Sequence, residues 1–349
     1  MTDTDTHPAT PSSDAPEALR PRFRDALVLA GAAMLGLLLL ASLLDYGYGR
    51  DQGIYAVVAD AMLRGEAPYR DAWDFKPPGI YLVFAATEIL FGADQGAIRI
   101  LEALLLASLF PAFALFAKRH VGDARAGVFG AAVALLAVVP LEYWNTAQPE
   151  TFGGVLLAWA LVCATRSDLD SGGHPPPKPR LRSPAVAAGA LYCAAALLKP
   201  PLGGGILVSA ILLTSERRRL LGNGFMRASW VPVTELAIGG AIPLIATLGY
   251  FAAHGALGDL ADVLFSYAPQ YVSLDFSVSR LPFLLRHAIG DWLFSYTPFT
   301  LMGLAPLVIL PALAKRERSG CAHALGVIAM SLIGVALQGK FFKYHYASA

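Results

Sequence analysis

The chain has 349 residues, of which 56% are hydrophobic and only 15% charged, with a mean hydropathy of +0.53 and a net charge of +1. This composition excludes an ordinary soluble domain, which needs far less apolar surface, and gives no basic excess suited to nucleic acid. The expected class is an all-α polytopic membrane protein.

A hydrocarbon core about 30 Å thick needs about 20 apolar residues per crossing helix, and fewer where flanking residues compensate. Residues 1–25, rich in Thr, Pro, Ser and Asp, read as a disordered cytoplasmic tail ending in Arg20, Arg22 and Arg24. The first span, 26–44, carries no charge. It is too long for an ordinary signal-peptide core, and no small-residue cleavage site follows, so an uncleaved anchor is expected. Eight further spans are predicted at 100–117, 126–141, 151–165, 184–198, 201–214, 231–253, 292–314 and 321–337. Residues 26–349 then form one transmembrane domain of about nine helices. The short segment 79–92 carries Glu88 and is expected to lie along the interface. Cys163, Cys193 and Cys321 fall in apolar spans as small packing residues, and Gly203 to Gly205 read as a point of close helix packing.

The loops differ in chemistry. Residues 45–99 form a long polar and aromatic loop containing Asp45, Asp51, Asp60, Asp71 and Asp74, with QGIYAVVADAMLRG (52–65) plausibly helical. A second loop, 254–291, is also aromatic and acidic, whereas 167–184 has the Gly, Pro and Arg content of a flexible linker. With the N-terminus inside, alternation through nine spans places 17 of the 27 basic residues on the inner side, and every inner loop has a basic cluster. The outer side then holds Lys76, Lys199, Lys340 and both aromatic loops. No P-loop, Rossmann fingerprint, metal-ligand spacing or disulfide framework is present, so no cofactor is expected.

One stretch is specific. RDQGIYAVVADAMLRGEAPYRDAWDFKPPGIYL, residues 50–82, resembles the first external loop of the GT-C-fold, polyprenyl-phosphate-dependent glycosyltransferases, relatives of the lipid A aminoarabinose transferases and protein O-mannosyltransferases. The matching features are an acid after the first span, a Tyr four residues on, then ML-x-G-x-x-PY-x-D and KPPG-x-Y. AQPETF (147–152), LLKPPLG (197–203) and GKFFKYHY (339–346) are weaker echoes. The chain departs from the pattern at Gln52, where the family often has Glu, and it is shorter than most members, as expected of a fragment or truncated product.

The resemblance implies a GT-C-like helical bundle with interfacial helices in its first outer loop. It also implies sugar transfer from a lipid-linked donor to a glycan, lipid or protein hydroxyl at the outer face of a bacterial inner membrane. Such transfer needs a base for the acceptor hydroxyl, cations for the departing phosphate and exclusion of water.

From sequence alone Asp51 reads equally as a base or as a helix N-cap, and the resemblance selects the base, with Tyr55 on the same helical face. Lys76 is either a phosphate contact fixed by Pro77 and Pro78 or a snorkelling interfacial lysine. Glu150 is a second catalytic candidate or simply a helix N-terminal acid. Lys199, Lys340 and His345 suit a lipid phosphate, and span-end anchoring also explains the lysines. Tyr69, Trp73 and Tyr81 read as sugar-stacking or interface-belt residues. Asp71 and Asp74 are expected to pair with Arg70 or Arg99, and Glu102 with Arg99 one turn away. A transporter or flippase, needing charges near mid-membrane, and a non-catalytic assembly subunit are the rival readings.

Overall fold

The computed structural model describes residues 19–169, 183–221, 230–274, 277–295, 297–308 and 312–349. Most of the predicted tail and linker therefore lies outside the described residues. The fold is helical, and a single bridge between Pro68 and Ala72 is the one extended pairing among the described residues. Helix α1 (Leu19–Leu43) leads to a layer formed by α2 (Arg50–Leu63) and α3 (Gly79–Phe91). A bundle of α4 (Gln95–Ala107), α5 (Leu109–His120), α6 (Ala124–Val138), α7 (Pro149–Leu169), α8 (Ser183–Leu198), α9 (Gly205–Leu221) and α10 (Val231–Ala253) follows. Short helices α11 (Leu257–Asp262) and α12 (Ala268–Ser273) are joined by a π-helical turn, and α13 (Leu281–Ser295), α14 (Thr297–Val308) and α15 (Lys315–Gln338) complete the chain.

Among the described residues, five helical stretches are long and apolar enough to cross a membrane: Asp25–Leu43, Gln95–His120, Ala124–Leu141, Val231–Ala253 and Lys315–Gln338. Gly79–Phe91, Pro149–Thr165 and Pro184–Leu198 are shorter apolar helices. Predicted spans 100–117 and 201–214 are not continuous α-helices, the first being divided between α4 and α5 at Ser108. Segment 201–214 opens as a 3-10 turn, Pro200–Gly204, because Pro200 and Pro201 have no N–H to enter an α-ladder. Segment 292–314 holds the end of α13 and all of α14, and its residues 296 and 309–311 lie outside the described residues. The first helix also starts at Leu19, inside the stretch predicted as tail.

Local chemistry accounts for several helix ends. Asp94 and Asp123 cap α4 and α6, accepting from the N–H groups of Gly96 and Arg125. α15 stops at Gly339, whose φ of 64° is readily adopted only by glycine. Helices α8 and α10 pack nearly backbone to backbone: a Cβ at Gly189 would lie 2.1 Å from the Leu236 carbonyl oxygen, and one at Gly239 1.8 Å from that of Val186. The predicted close packing at Gly203 to Gly205 is present, against Ala196, Met330 and Tyr192 respectively.

The two ends of the bundle differ. At one, Asp25 pairs with Arg125, Arg119 donates to the Val162 carbonyl and Arg316 to that of Lys118. At the other, the α1–α2 turn, the 142–148 loop, Lys199 and residues 340–346 converge. Arg99 organises this second end. Fully buried, it donates to Glu102 and Thr146 at 2.9 Å, to the Gly47 carbonyl at 2.7 Å and to that of Tyr46 at 3.2 Å. Glu102 accepts in turn from the Ala147 N–H. The predicted Arg99–Glu102 pair is therefore formed with its hydrogen-bonding groups matched, the condition under which a buried ion pair is tolerated.

Candidate active site

A cavity of about 770 Å³ opens at this second end. Its wall combines α2, the KPP turn, the start of α7, the α8–α9 junction, the α11–α12 segment and the loop after α15. Asp51, Tyr55, Lys76, Glu150, Lys199, Lys340 and His345 all line it, together with Arg50, Asp74, Phe75, Tyr271 and Tyr344. Residues spread from 51 to 345 in sequence thus share one chamber. From the predicted loop 254–291, Leu264, Ala268, Pro269, Tyr271 and Val272 form one side.

Asp51 is not a helix cap, because Gly49 occupies that position and Asp51 sits in the first turn. Its carboxylate accepts only long, 3.3 Å contacts from Arg50, whose side chain is 82% exposed, so it is loosely held. Tyr55, one turn on, is buried and donates to Gln148 at 3.2 Å. Burial, with Asp51 and Glu150 nearby, raises its pKa well above the ordinary phenol range and keeps the hydroxyl protonated.

Gln52 faces away from the cavity. Its carboxamide nitrogen lies 2.7, 3.0 and 3.3 Å from the carbonyl oxygens of Thr146, Tyr143 and Trp144. The side chain therefore fastens the start of α2, and Asp51 with it, to the loop ahead of α7. The departure from the family pattern at this position has a structural use here.

Lys76 projects from a rigid turn. Its ammonium lies 5.3 Å from the centre of the Phe75 ring, and its carbonyl accepts from the Tyr69 hydroxyl at 2.8 Å, with Tyr81 at 3.1 Å. Tyr81 is also 2.9 Å from Asp74, which corrects the expectation that Asp74 pairs with an arginine. Tyr69 and Tyr81 are themselves a correction: buried among Tyr55, Phe84 and Phe251, they stand behind the cavity wall and present no ring to a sugar. Asp71 does pair with Arg70 at 2.8 Å, and it also accepts from the Ala67 N–H. These contacts hold its carboxyl at about 2. Arg70 further donates to the His254 carbonyl at 2.7 Å, tying the segment between α2 and α3 to the end of α10.

Glu150, in the first turn of α7, is almost completely buried. Its Oε1 pairs with Lys199, and His345 Nε2 lies 3.7 Å from the same oxygen, while Oε2 has no hydrogen-bond partner. His345 donates through Nδ1 to the Lys340 carbonyl at 2.8 Å, which in the neutral ring leaves Nε2 as an acceptor. Burial and the cations of Lys199, Lys76 and Lys340 lower its pKa well below the usual imidazole value. Lys340 places its ammonium 3.4 Å from the centre of the Tyr271 ring, and that ring meets Phe75 at 4.7 Å. Tyr271 and Tyr344 were not singled out from sequence, where each is one aromatic among many near a span end. Trp73 remains exposed on the rim, edge-on to Tyr267 at 5.1 Å.

No cluster of three metal-ligating side chains occurs among the described residues. The chamber instead brings three carboxylates, three lysines and Arg50 together beside an apolar wall. That set can accept a proton from a hydroxyl and hold a phosphate.

No family model matches the sequence, and no curated protein matches it. Among solved structures the fold is similar to the crystal structure of ArnT from Cupriavidus metallidurans bound to undecaprenyl phosphate, with a TM-score of 0.60 and 20% identity. The match covers 93% of this chain and 57% of the ArnT chain, so the protein spans little more than half the length of its structural neighbour. The GT-C-type helical fold expected from residues 50–82 is the one observed.

Proposed function

We propose that the chain is a membrane glycosyltransferase that moves a sugar from a polyprenyl-phosphate donor to a hydroxyl of an envelope glycan, lipid or protein. The observation that carries this reading is the convergence of Asp51, Glu150, Lys76, Lys199 and Lys340 on one chamber. The bound lipid phosphate of the ArnT structure supports it by analogy of fold.

In this mechanism the acceptor hydroxyl lies against Asp51, which takes its proton as the oxygen attacks the anomeric carbon. The bond from that carbon to the phosphate oxygen breaks, and the departing phosphate gathers negative charge. Lys76 and Lys340, each positioned against an aromatic ring, and Lys199 at the α8–α9 junction stabilise that charge in a partly dry chamber. Attack opposite the leaving phosphate inverts the anomeric configuration. The basic end of the bundle, with Lys118, Arg119, Arg125 and Arg316, supports a cytoplasmic N-terminus and a site on the outer face. For a transporter the informative charges would lie near mid-membrane. The buried Arg99–Glu102 pair is instead bound to the loop at the cavity end.

The test is transfer of radiolabelled sugar from a panel of polyprenyl-phosphate donors by membranes containing the chain or its Asp51→Asn form. Asp51→Asn is expected to lose about 10²- to 10⁴-fold in rate, the usual worth of a general base. Full transfer by that variant would remove Asp51 from the mechanism, and no transfer by the inserted wild-type chain would favour the non-catalytic subunit.

A further inference from the structure

Glu150 is flanked by two side chains of different mobility. Lys199 reaches it on a flexible four-carbon stem and keeps part of its side chain, 16%, accessible from the cavity. His345 is fixed by its Nδ1 hydrogen bond to the Lys340 carbonyl and approaches the same oxygen only to 3.7 Å. That spacing suits two acceptors, an unprotonated Nε2 and a carboxylate, which gain nothing from closer approach. Of the two, Lys199 is the more open to a phosphate entering the chamber, since the Glu150 side chain is only 2% exposed. If the phosphate draws Lys199 away, a buried carboxylate loses its ion pair, a costly state unless another cation replaces it. The group already in place to do so is His345.

We propose that Glu150 and His345 form a proton-coupled exchange site: donor phosphate captures Lys199 from Glu150, and His345 takes up one proton at Nε2 to replace it. This rests on the donor reading of the cavity and extends it. The proton comes from solvent, and no covalent bond changes. Glu150 keeps its charge, its counter-cation passing from an ammonium to an imidazolium. The groups facing His345 agree in direction. Lys199 at the α8–α9 junction, Lys76 of the first outer loop and Lys340 of its own loop oppose protonation, and a bound phosphate offsets all three. Tyr344 and Phe342 pack against the ring edge-on and add no charge. His345 is thus a positioning residue for Glu150, and donor affinity should rise as pH falls.

The sign of the proton flux separates this from simple binding. A phosphate monoester, with a second pKa of about 6, releases protons or none when it binds among lysines near neutral pH, so net uptake has to come from the protein. The experiment is titration calorimetry of the full chain in detergent with farnesyl phosphate, near neutral pH, in two buffers of different ionisation enthalpy. The wild-type chain is expected to take up about one proton per ligand. His345→Gln should abolish the uptake and weaken binding about tenfold, the worth of one charge-assisted hydrogen bond. Glu150→Gln should also abolish uptake but retain or improve binding, because Lys199 is then free for the phosphate. Should His345→Gln fail to fold, Glu150→Gln alone decides the matter. Binding without proton uptake would mean that Lys199 bridges both anions, overturning the exchange while leaving the donor reading intact. No binding of farnesyl phosphate by the wild-type chain would overturn the donor reading, and the exchange with it.

Discussion

The carboxamide nitrogen of Gln52 lies 2.7 Å from the carbonyl oxygen of Thr146, with the Tyr143 and Trp144 carbonyls at 3.0 and 3.3 Å. A side chain next to the proposed base thus acts wholly as a donor, clamping α2 to the loop that precedes Glu150. The preference for an amide here follows from its surroundings, because three oxygens demand an N–H. A carboxylate has none to give.

Gln52→Glu is therefore expected to destabilise the protein by about 3–5 kcal/mol, the cost of a buried charge with no partner. Thermal unfolding of the purified variant in detergent measures this. An unchanged melting temperature would show that the clamp carries no weight.

Lys76→Ala should separate binding from folding. The turn that presents Lys76 is held through its backbone carbonyl by Tyr69 and Tyr81, so removing the side chain leaves these contacts in place. Polyprenyl-phosphate affinity is expected to fall about 10- to 100-fold with unfolding unchanged, and Lys76→Arg to recover part of it. Equal affinity in the alanine variant would exclude Lys76 as a phosphate contact.

The same turn is seated on α8. A Cβ at Gly79 would lie 2.6 Å from the Leu197 carbonyl carbon and oxygen, which are backbone atoms with little room to yield. Gly79→Ala is expected to cost about 1–3 kcal/mol and to displace Lys76 from the cavity, lowering donor affinity as well. Gly53, a helical position with open space where its Cβ would go, is the control. There alanine should stabilise by up to about 1 kcal/mol. Equal effects at the two sites would show that contact with α8 is unimportant.

His345 sets a direction for acid sensitivity. Burial lowers its folded-state pKa well below 6.5, so between these values the unfolded chain binds more protons than the folded one. Stability contributed by this residue is complete above about pH 6.5, the unfolded value, and is lost progressively as pH falls below it. Melting temperatures of the ligand-free protein between about pH 7.5 and 5.5 should fall less in His345→Gln than in wild type. Parallel curves would place the acid-sensitive group elsewhere.

How far the sequence reveals this site depends on the kind of contact. Asp51, Lys76, Glu150, Lys199, Lys340 and His345 stand out because polar residues are scarce in an apolar chain and gather at span ends. The pairing of Arg99 with Glu102 follows from their spacing on one helix. The roles of Gln52, Tyr69 and Tyr81 do not, because the carbonyls around Gln52 come from residues 143–146, and no side-chain pattern marks a carbonyl acceptor. From sequence Tyr69 and Tyr81 read as sugar-stacking or interface-belt residues, whereas burial makes them supports. The break at the start of 201–214 was visible as Pro200 and Pro201, but hydropathy averages across it.

The Arg99–Glu102 pair also bears on how the chain is made. Both charges lie on α4, three residues apart, so they can neutralise one another as soon as that helix forms. The translocation machinery then receives a segment far cheaper to move into lipid than one with either charge alone. Of the pair's other partners, Tyr46 and Gly47 precede α4 in the chain, whereas Thr146 and Ala147 are synthesised more than forty residues later, after α6. Biogenesis would therefore proceed in two stages: an ion pair that insures early insertion, then a loop that locks it once the following helix is in place.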